Sequence, residues 1–431
     1  MPEWIIVCNL LTFLWLCGWT YMAIVNLCSK HRSSTSFVTV VFFLLYGVPI
    51  FLDLAIGIPD YLSTPGLAAG ANSSWAILFY DLFVSLCPVF WRITAQPQPN
   101  NFSGELLRDN KIIRIVLLFL MAGPFVMLIF APSPGRYLNY GFIINESVTS
   151  ADYIFYGQLA SLGILSILGT IGHVLLNRNL VRSLILLTPL LIVNAWIQGK
   201  RSSVALVLVL VWFTLWVRKA FTPKQLLALT AFGVFFFGLY IYWYQTALRP
   251  QAVSSTRAVY ENSRIDYGRD HHLKAAIECE LSQDESKILD YRGQSILFSL
   301  AMFIPRSEWP DKPLPYAAYL TGFALQSFQK DRGWGLTSSI LDEMVANFGW
   351  PGLLIGPALI MYLCRVCDKS HDLIVKVMGT LITCLFLTVE FVSFAPVFLA
   401  WAIYTTWSIR YRKPPQPRTQ FRVHFFQSEP A

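Results

Sequence analysis

Four short stretches carry the residue types that could do chemistry on a charged or polar substrate. Ser263 to His272 reads Ser-Arg-Ile-Asp-Tyr-Gly-Arg-Asp-His-His, alternating Arg264, Asp266, Arg269 and Asp270 around Tyr267. Phe303 to Pro313 reads Phe-Ile-Pro-Arg-Ser-Glu-Trp-Pro-Asp-Lys-Pro, so Arg306 and Trp309 sit where prolines forbid a continuous helix. Thr337-Ser-Ser339 precedes an apolar run carrying Asp342, Glu343 and Asn347, and Gly199-Lys200-Arg201 interrupts two apolar runs.

Arginine suits a phosphate because its planar fork makes paired contacts and keeps its charge. Lys200, Arg201, Arg264, Arg269 and Arg306 are therefore candidate holders of a phosphate-bearing group, with Tyr267, Asp270, Trp309 and Asn347 as further substrate contacts. Asp266 is expected to be occupied in pairing with Arg264 or Arg269, which orients those cations. Asp342 and Glu343 are expected on an outer rim against a cavity.

Each stretch also has a purely structural reading. The Arg264 to Asp270 run suits a solvated helix start with local ion pairs, Ser339 with Asp342 suits a helix cap, and Trp309 suits an interfacial anchor. Lys200 and Arg201 suit snorkelling toward lipid head groups. His271 and His272 lie in a polar stretch where solvation is expected, with metal binding as the alternative. No His-rich or paired-carboxylate metal pattern is present, which favours cationic side chains over a metal and calls for no cofactor.

The elements that must position these residues are set by composition. With 55% hydrophobic and 13% charged residues and a mean hydropathy of +0.52, the chain is far more apolar than a soluble domain. Eleven apolar runs, centred near Trp15, Val48, Val84, Met121, Leu165, Pro189, Leu210, Phe235, Leu359, Leu381 and Ala400, predict an all-α polytopic membrane protein of about eleven spans. The first run lacks a basic flank and a cleavage site, so it reads as a retained helix. Eight cysteines, mostly in apolar runs, point to no disulfide or zinc framework.

Basic residues cluster in alternate loops, from Lys30 and Arg32 through Arg108, Arg178, Arg218 and Arg365 to the tail. The positive-inside rule then sets the N-terminus outside and the C-terminus in the cytoplasm. The expected organisation is an eight-helix bundle over 1–248, a large external region over 249–338, three helices over 339–410 and a basic tail over 411–431. Eleven basic and eleven acidic residues fall between Arg249 and Ser338, and Gly293 to Ile304 is long enough only for a re-entrant or interfacial helix. Asp53, Asp81 and Glu390 fall at or near membrane depth, where ionisable groups face a bundle interior or a wet cavity. The formal charge of +8 suits anionic lipid, and no basic-aromatic pattern suggests nucleic acid.

The ordered series Arg-x-Asp-Tyr, Phe-Ile-Pro-Arg-Ser-x-Trp-Pro-Asp-Lys-Pro and Thr-Ser-Ser-Ile-x-x-Glu-x-x-x-Asn-Phe-Gly-Trp-x-Gly resembles the Wzy-type O-antigen and oligosaccharide repeat-unit polymerases, relatives of the O-antigen ligases. The likeness covers Arg264 to Gly356 with Gly199 to Arg201; elsewhere it is one of topology. It implies an inverting glycosyltransferase in the bacterial inner membrane, acting at the periplasmic face on undecaprenyl-pyrophosphate-linked oligosaccharides. The five cations would then hold the departing diphosphate, and the attacking sugar hydroxyl would need a base within hydrogen-bond reach, with Glu343 the first candidate and Asp266 the second. The product would be O-antigen of lipopolysaccharide, or a capsular or exopolysaccharide, with a flippase and a chain-length regulator as partners. A ligase, which is expected to use a histidine such as His271, and a transporter of the lipid-linked glycan are the alternatives. Transport predicts internal repeats and broken helices, and the sequence shows no repeat.

Overall fold

The computed structural model describes residues 2–28, 33–93, 111–141, 150–177, 179–199, 201–218, 220–248, 256–282, 287–327, 335–370 and 372–411, and among them every regular element is a helix. Helix α1 (Glu3–Cys28) is one apolar rod. Helix α2 (Ser34–Phe42) starts at Ser33, whose side chain accepts from the Ser36 amide, and runs through a π-helical turn at Phe43–Gly47 into α3 (Val48–Ala55). Helix α4 (Pro65–Asn72) is short and built of small residues, with Pro65 in the first turn where no amide is needed. Apolar helices α5 (Ser74–Ile93), α6 (Lys111–Ile129), α7 (Ser150–Leu176), α8 (Leu180–Gln198), α9 (Arg201–Val217) and α10 (Pro223–Leu248) follow.

The polar interval folds into α11 (Thr256–Tyr267), α12 (Asp270–Leu281), α13 (Gln294–Leu300) and α14 (Tyr316–Ala324). Helix α15 (Ile340–Phe348) is opened by a capping box in which Ser339 and Asp342 satisfy each other's end of the first turn. Helices α16 (Gly352–Lys369), α17 (Leu373–Thr388) and α18 (Ala395–Tyr411) close the described chain.

All eleven apolar runs are helical. Six of the resulting rods are long and apolar enough to cross a membrane: Glu3–Cys28, Ser34–Ala55, Ser74–Arg92, Phe155–Leu176, Leu180–Gln198 and Lys224–Tyr244. Shorter apolar helices cover Ile113–Ile129, Ser203–Trp216 and Ile374–Thr388. Large apolar side chains such as Leu11, Phe119, Ile185 and Phe235 point outward from these rods. So broad an apolar exterior is stable against lipid rather than water, and the chain is in outline a polytopic helical membrane protein.

Within the expected external region, the stretch that begins at Asp270 is not a solvated loop. Helix α12 is wrapped by α4, α5 and α15, and every residue from Asp270 to Ile277 is buried. Leu273 and Ile277 join the same hydrophobic cluster as Leu67, Tyr80, Leu341 and Val345. Burying two such side chains contributes roughly 1.5–3 kcal/mol each. The approach of α4 depends on Gly70, since a Cβ there would lie 2.5 Å from the Ala275 backbone nitrogen. The short helix expected between Gly293 and Ile304 is present as the seven residues of α13, and it leaves Leu300 and Phe303 exposed.

Candidate functional site

The site begins with the π-helical turn between α2 and α3. A wider turn breaks the regular ladder of backbone bonds and leaves carbonyls to be met from elsewhere. Three successive carbonyls are taken by other elements: Leu44 by the Tyr267 hydroxyl, Leu45 by the Arg269 amide at 3.3 Å, and Tyr46 by the Tyr80 hydroxyl at 2.7 Å. This turn therefore anchors the junction of α11 and α12 to the bundle.

Arg264, near the end of α11, is the centre of a buried charge cluster. Its Nε and Nη2 donate to the two oxygens of Asp53 at 3.0 and 2.9 Å, and its Nη1 and Nη2 donate to Asp270 at 2.8 and 2.7 Å. Lys274, one turn along α12, donates to Asp270 at 3.0 Å, lies 3.6 Å from Asp53 and sits over the Tyr80 ring. Two cations meet two anions, so the cluster is neutral as a whole. Burial alone would raise the Asp270 carboxyl, but Arg264 and Lys274 together hold it well below the usual range. Gly268 is required beside it, since a Cβ would fall 2.1 Å from Arg264 Nη1.

Arg269 serves two helix ends. Its guanidinium donates to the Asp266 and Gly268 carbonyls at 3.0 Å each, at the end of α11, and to Thr388 at 3.0 Å, at the end of α17. Arg201 at the start of α9 forms an ion pair with Asp266 and lies over the Tyr244 ring at 4.8 Å. Asp266 thus pairs with Arg201, in place of the expected pairing with Arg264 or Arg269, whose guanidinium donors go to Asp53, Asp270 and backbone carbonyls. Sequence spacing hid this, because the pair joins two helices separated by the whole of α10.

The second part of the site is α15. Tyr46 donates to Ser339 Oγ at 2.7 Å, and Ser339 donates to Asp342 both through its hydroxyl and, at 2.8 Å, through its amide. Glu343 Oε1 accepts from Ser295 Oγ on α13 at 2.8 Å, and Asn347 Nδ2 donates to Ser295 Oγ and to the Glu343 carbonyl, both at 2.7 Å. Glu343 and Asn347 share a face, as their spacing predicts. Neither carboxylate of α15 sits on an open rim, however: both side chains are buried, Glu343 against Ser295 of α13 and Asp342 against Ser339. Burial raises the Glu343 carboxyl to about 8, with Glu390 and Asp342 adding to the shift against the pull of Ser295. Asp342 rises to about 6 for the same reason, moderated by its bonds to Ser339. Glu343 Oε2 has no hydrogen-bond partner, and the buried Tyr316 hydroxyl lies against Asp342.

His271 and His272 are also buried, contrary to the solvation expected of them. Their rings meet edge to face at 4.2 Å, and burial lowers both imidazoles below their ordinary value, so both are neutral near pH 7. The His271 ring lies 3.6 Å from Asp270. No group of three or more metal-ligating side chains is gathered among the described residues.

Arg306 stands apart from this arrangement. It is exposed and donates to the carbonyls of Lys312 and Pro313 at 2.7 and 3.0 Å, while Lys312 returns to Met302 and Ile304 at 3.1 and 2.8 Å. These bonds set the shape of the turn that carries Trp309. Of the five expected cations, Arg201, Arg264 and Arg269 surround one helix junction, Arg306 belongs to another turn, and Lys200 lies outside the described residues. So do Lys30, Arg32, Arg108, Arg178 and the tail from 412 onward, on which much of the orientation reading draws. Family models, characterised proteins and solved structures were all compared with the chain, and nothing matches.

Sequence reasoning passed over Lys274, Arg292 and Ser295. Lys274 was legible as a cation four residues after Asp270 on a helix. Arg292 bonds Glu280 at 2.6 Å and the Ala346 carbonyl at 2.9 Å, tying the ends of α12 and α15, and no local pattern marks it.

Proposed function

We propose that the protein is a polytopic inverting glycosyltransferase that polymerises undecaprenyl-pyrophosphate-linked oligosaccharide units at the outer face of the bacterial inner membrane. The observation that carries the reading is the contact between motif segments far apart in sequence. Arg201 pairs with Asp266, α12 follows directly from that motif, and α15 with Glu343 packs on α12. These are the segments on which the likeness to the Wzy-type polymerases was drawn.

In this reading an acceptor sugar hydroxyl attacks the anomeric carbon of the growing chain. A new carbon–oxygen bond forms as the bond to the pyrophosphate breaks, and undecaprenyl pyrophosphate leaves with that electron pair. Glu343 takes the hydroxyl proton. With a carboxyl near 8, only about one in ten molecules is ionised at pH 7, so turnover rises with pH toward 8. The partly exposed Arg201 meets the diphosphate directly, with Lys200 assisting, while Arg306 shapes the separate turn that carries Trp309. Arg264 and Arg269, whose donors are engaged by Asp53, Asp270 and helix carbonyls, hold the frame rigid.

Transfer of the finished glycan to a separate acceptor is the second reading, favoured by one feature: the neutral, buried pair of His271 and His272, with His271 beside Asp270. A strain lacking the protein separates these readings. Loss of a polymerase leaves single repeat units on the surface, whereas loss of a ligase leaves long lipid-linked chains unattached. Units trapped inside the cell would instead identify a transporter.

A further inference from the structure

An aromatic cluster lies beside the Arg201–Asp266 pair and has no part in the chemistry above. Tyr140, after α6, packs its ring 5.1 Å from Trp196 near the end of α8 and 5.8 Å from Trp243 on α10. Tyr240 hydrogen-bonds Tyr140 through their hydroxyls and lies 6.1 Å from Trp243. Tyr244 completes the group and stacks under the Arg201 guanidinium at 4.8 Å. Residues 240, 243 and 244 share one face of α10 by helical spacing.

Trp and Tyr at helix ends ordinarily form a belt, with rings spread around the perimeter to meet lipid head groups. Here rings from α8 and α10 instead converge on one residue, Tyr140. Tyr244 is buried, yet Trp196 and Trp243 remain 46% and 45% exposed, so two indole surfaces stay open. Next to them stands a partly exposed guanidinium–carboxylate pair.

We propose that this cluster is a binding platform for a pyranose ring of a glycan. The C–H face of a sugar is apolar and packs on an indole, while its ring hydroxyls accept from a guanidinium and donate to a carboxylate. A few polar groups set into an aromatic surface give orientation as well as affinity. The assignment deepens the glycosyltransferase reading and rests on it for the identity of the glycan, which is the sugar portion of the lipid-linked unit.

The test uses the full chain in nanodiscs and, as probe, the lipid-free oligosaccharide released by mild acid from the host's own lipid-linked pool. Saturation-transfer NMR should show transfer to sugar ring protons. Trp243→Ala and Trp196→Ala should each weaken binding about tenfold, the scale of one aromatic contact, while Trp243→Phe keeps most of it. Trp243→Leu preserves bulk without an aromatic face and should bind as poorly as the Ala variant, which covers a failure of Trp243→Ala to fold. Unchanged affinity in folded Trp243→Leu and Trp196→Ala would overturn the proposal and leave the rings as lipid anchors. Ring-dependent binding by a protein that makes no polymer from intact lipid-linked units would uphold the platform and sink the polymerase reading.

Discussion

Arg264 and Asp53 lie 211 positions apart in sequence and meet face to face, with both carboxylate oxygens of Asp53 taken by the guanidinium at 3.0 and 2.9 Å. The contact joins α11 to α3 at a point where neither side chain reaches solvent. Removing one partner leaves a buried charge unpaired, which costs about 3–5 kcal/mol. Arg264→Leu should therefore lower the thermal unfolding temperature markedly in detergent. Arg264→Lys should recover only part of it, since a point charge cannot serve two carboxylates through a fork. Wild-type stability in Arg264→Leu would show that the cluster does not hold the two helices together.

Arg201 offers the contrasting case. Its pair with Asp266 is partly exposed, where such contacts contribute about 0–1 kcal/mol, so Arg201→Ala should change stability little. If Arg201 meets the departing diphosphate, polymer formation from purified lipid-linked units should nevertheless fall by roughly 100- to 1,000-fold. A folded Arg201→Ala protein that polymerises at the wild-type rate removes it from the site.

Glu343 ties activity and stability to pH in opposite directions. Its carboxyl titrates near 8 in the folded protein against an ordinary value of 4.5, so the fold favours the protonated form. Stability from this group is complete below about 4.5 and is lost as pH rises through about 8. Glu343→Gln should flatten that decline and, measured at pH 8.5, unfold at a higher temperature than wild type. Polymerisation should rise between pH 6 and 8 in wild type and be nearly absent at every pH in Glu343→Gln. A folded, substrate-binding Glu343→Gln protein with near wild-type turnover means that the base is elsewhere.

Gly70 tests the docking of α12. A methyl group placed 2.5 Å from the Ala275 nitrogen forces the two backbones apart, and strain of this kind typically costs 1–3 kcal/mol. Gly70→Ala should lower the unfolding temperature and speed hydrogen exchange in residues 270–277, whereas Gly18→Ala, where a Cβ meets nothing, should do neither.

Orientation is open to direct labelling. In a cysteine-free background, a cysteine at the exposed Glu308 should react with an impermeant maleimide added to intact spheroplasts, and one at Arg410 only after lysis. The reverse pattern would invert the topology inferred from the basic loops.

Local composition was enough to place the apolar rods, because whether a segment prefers lipid is a sum over its own residues. The cap at Ser339 and Asp342, the shared face of Glu343 and Asn347, and the short helix after Gly293 were legible for the same reason, being interactions within a few residues of each other. Helical spacing likewise put Asp270 and Lys274 one turn apart. Tertiary structure alone decided which charges meet. Asp53 rather than a neighbour takes Arg264, Asp266 goes to Arg201, and the carbonyls freed by the π-helical turn at Phe43–Gly47 receive Tyr267, Arg269 and Tyr80. Burial of Glu343 and the two histidines was equally invisible, since α12 carries charge at Asp270 and Lys274 and is drawn inside by Leu273 and Ile277 together with the opposite partners those charges find there. A buried ion cluster is stable only when every member is satisfied at once, and that condition is set by the packing of α3, α11 and α12 together, not by any one stretch of sequence.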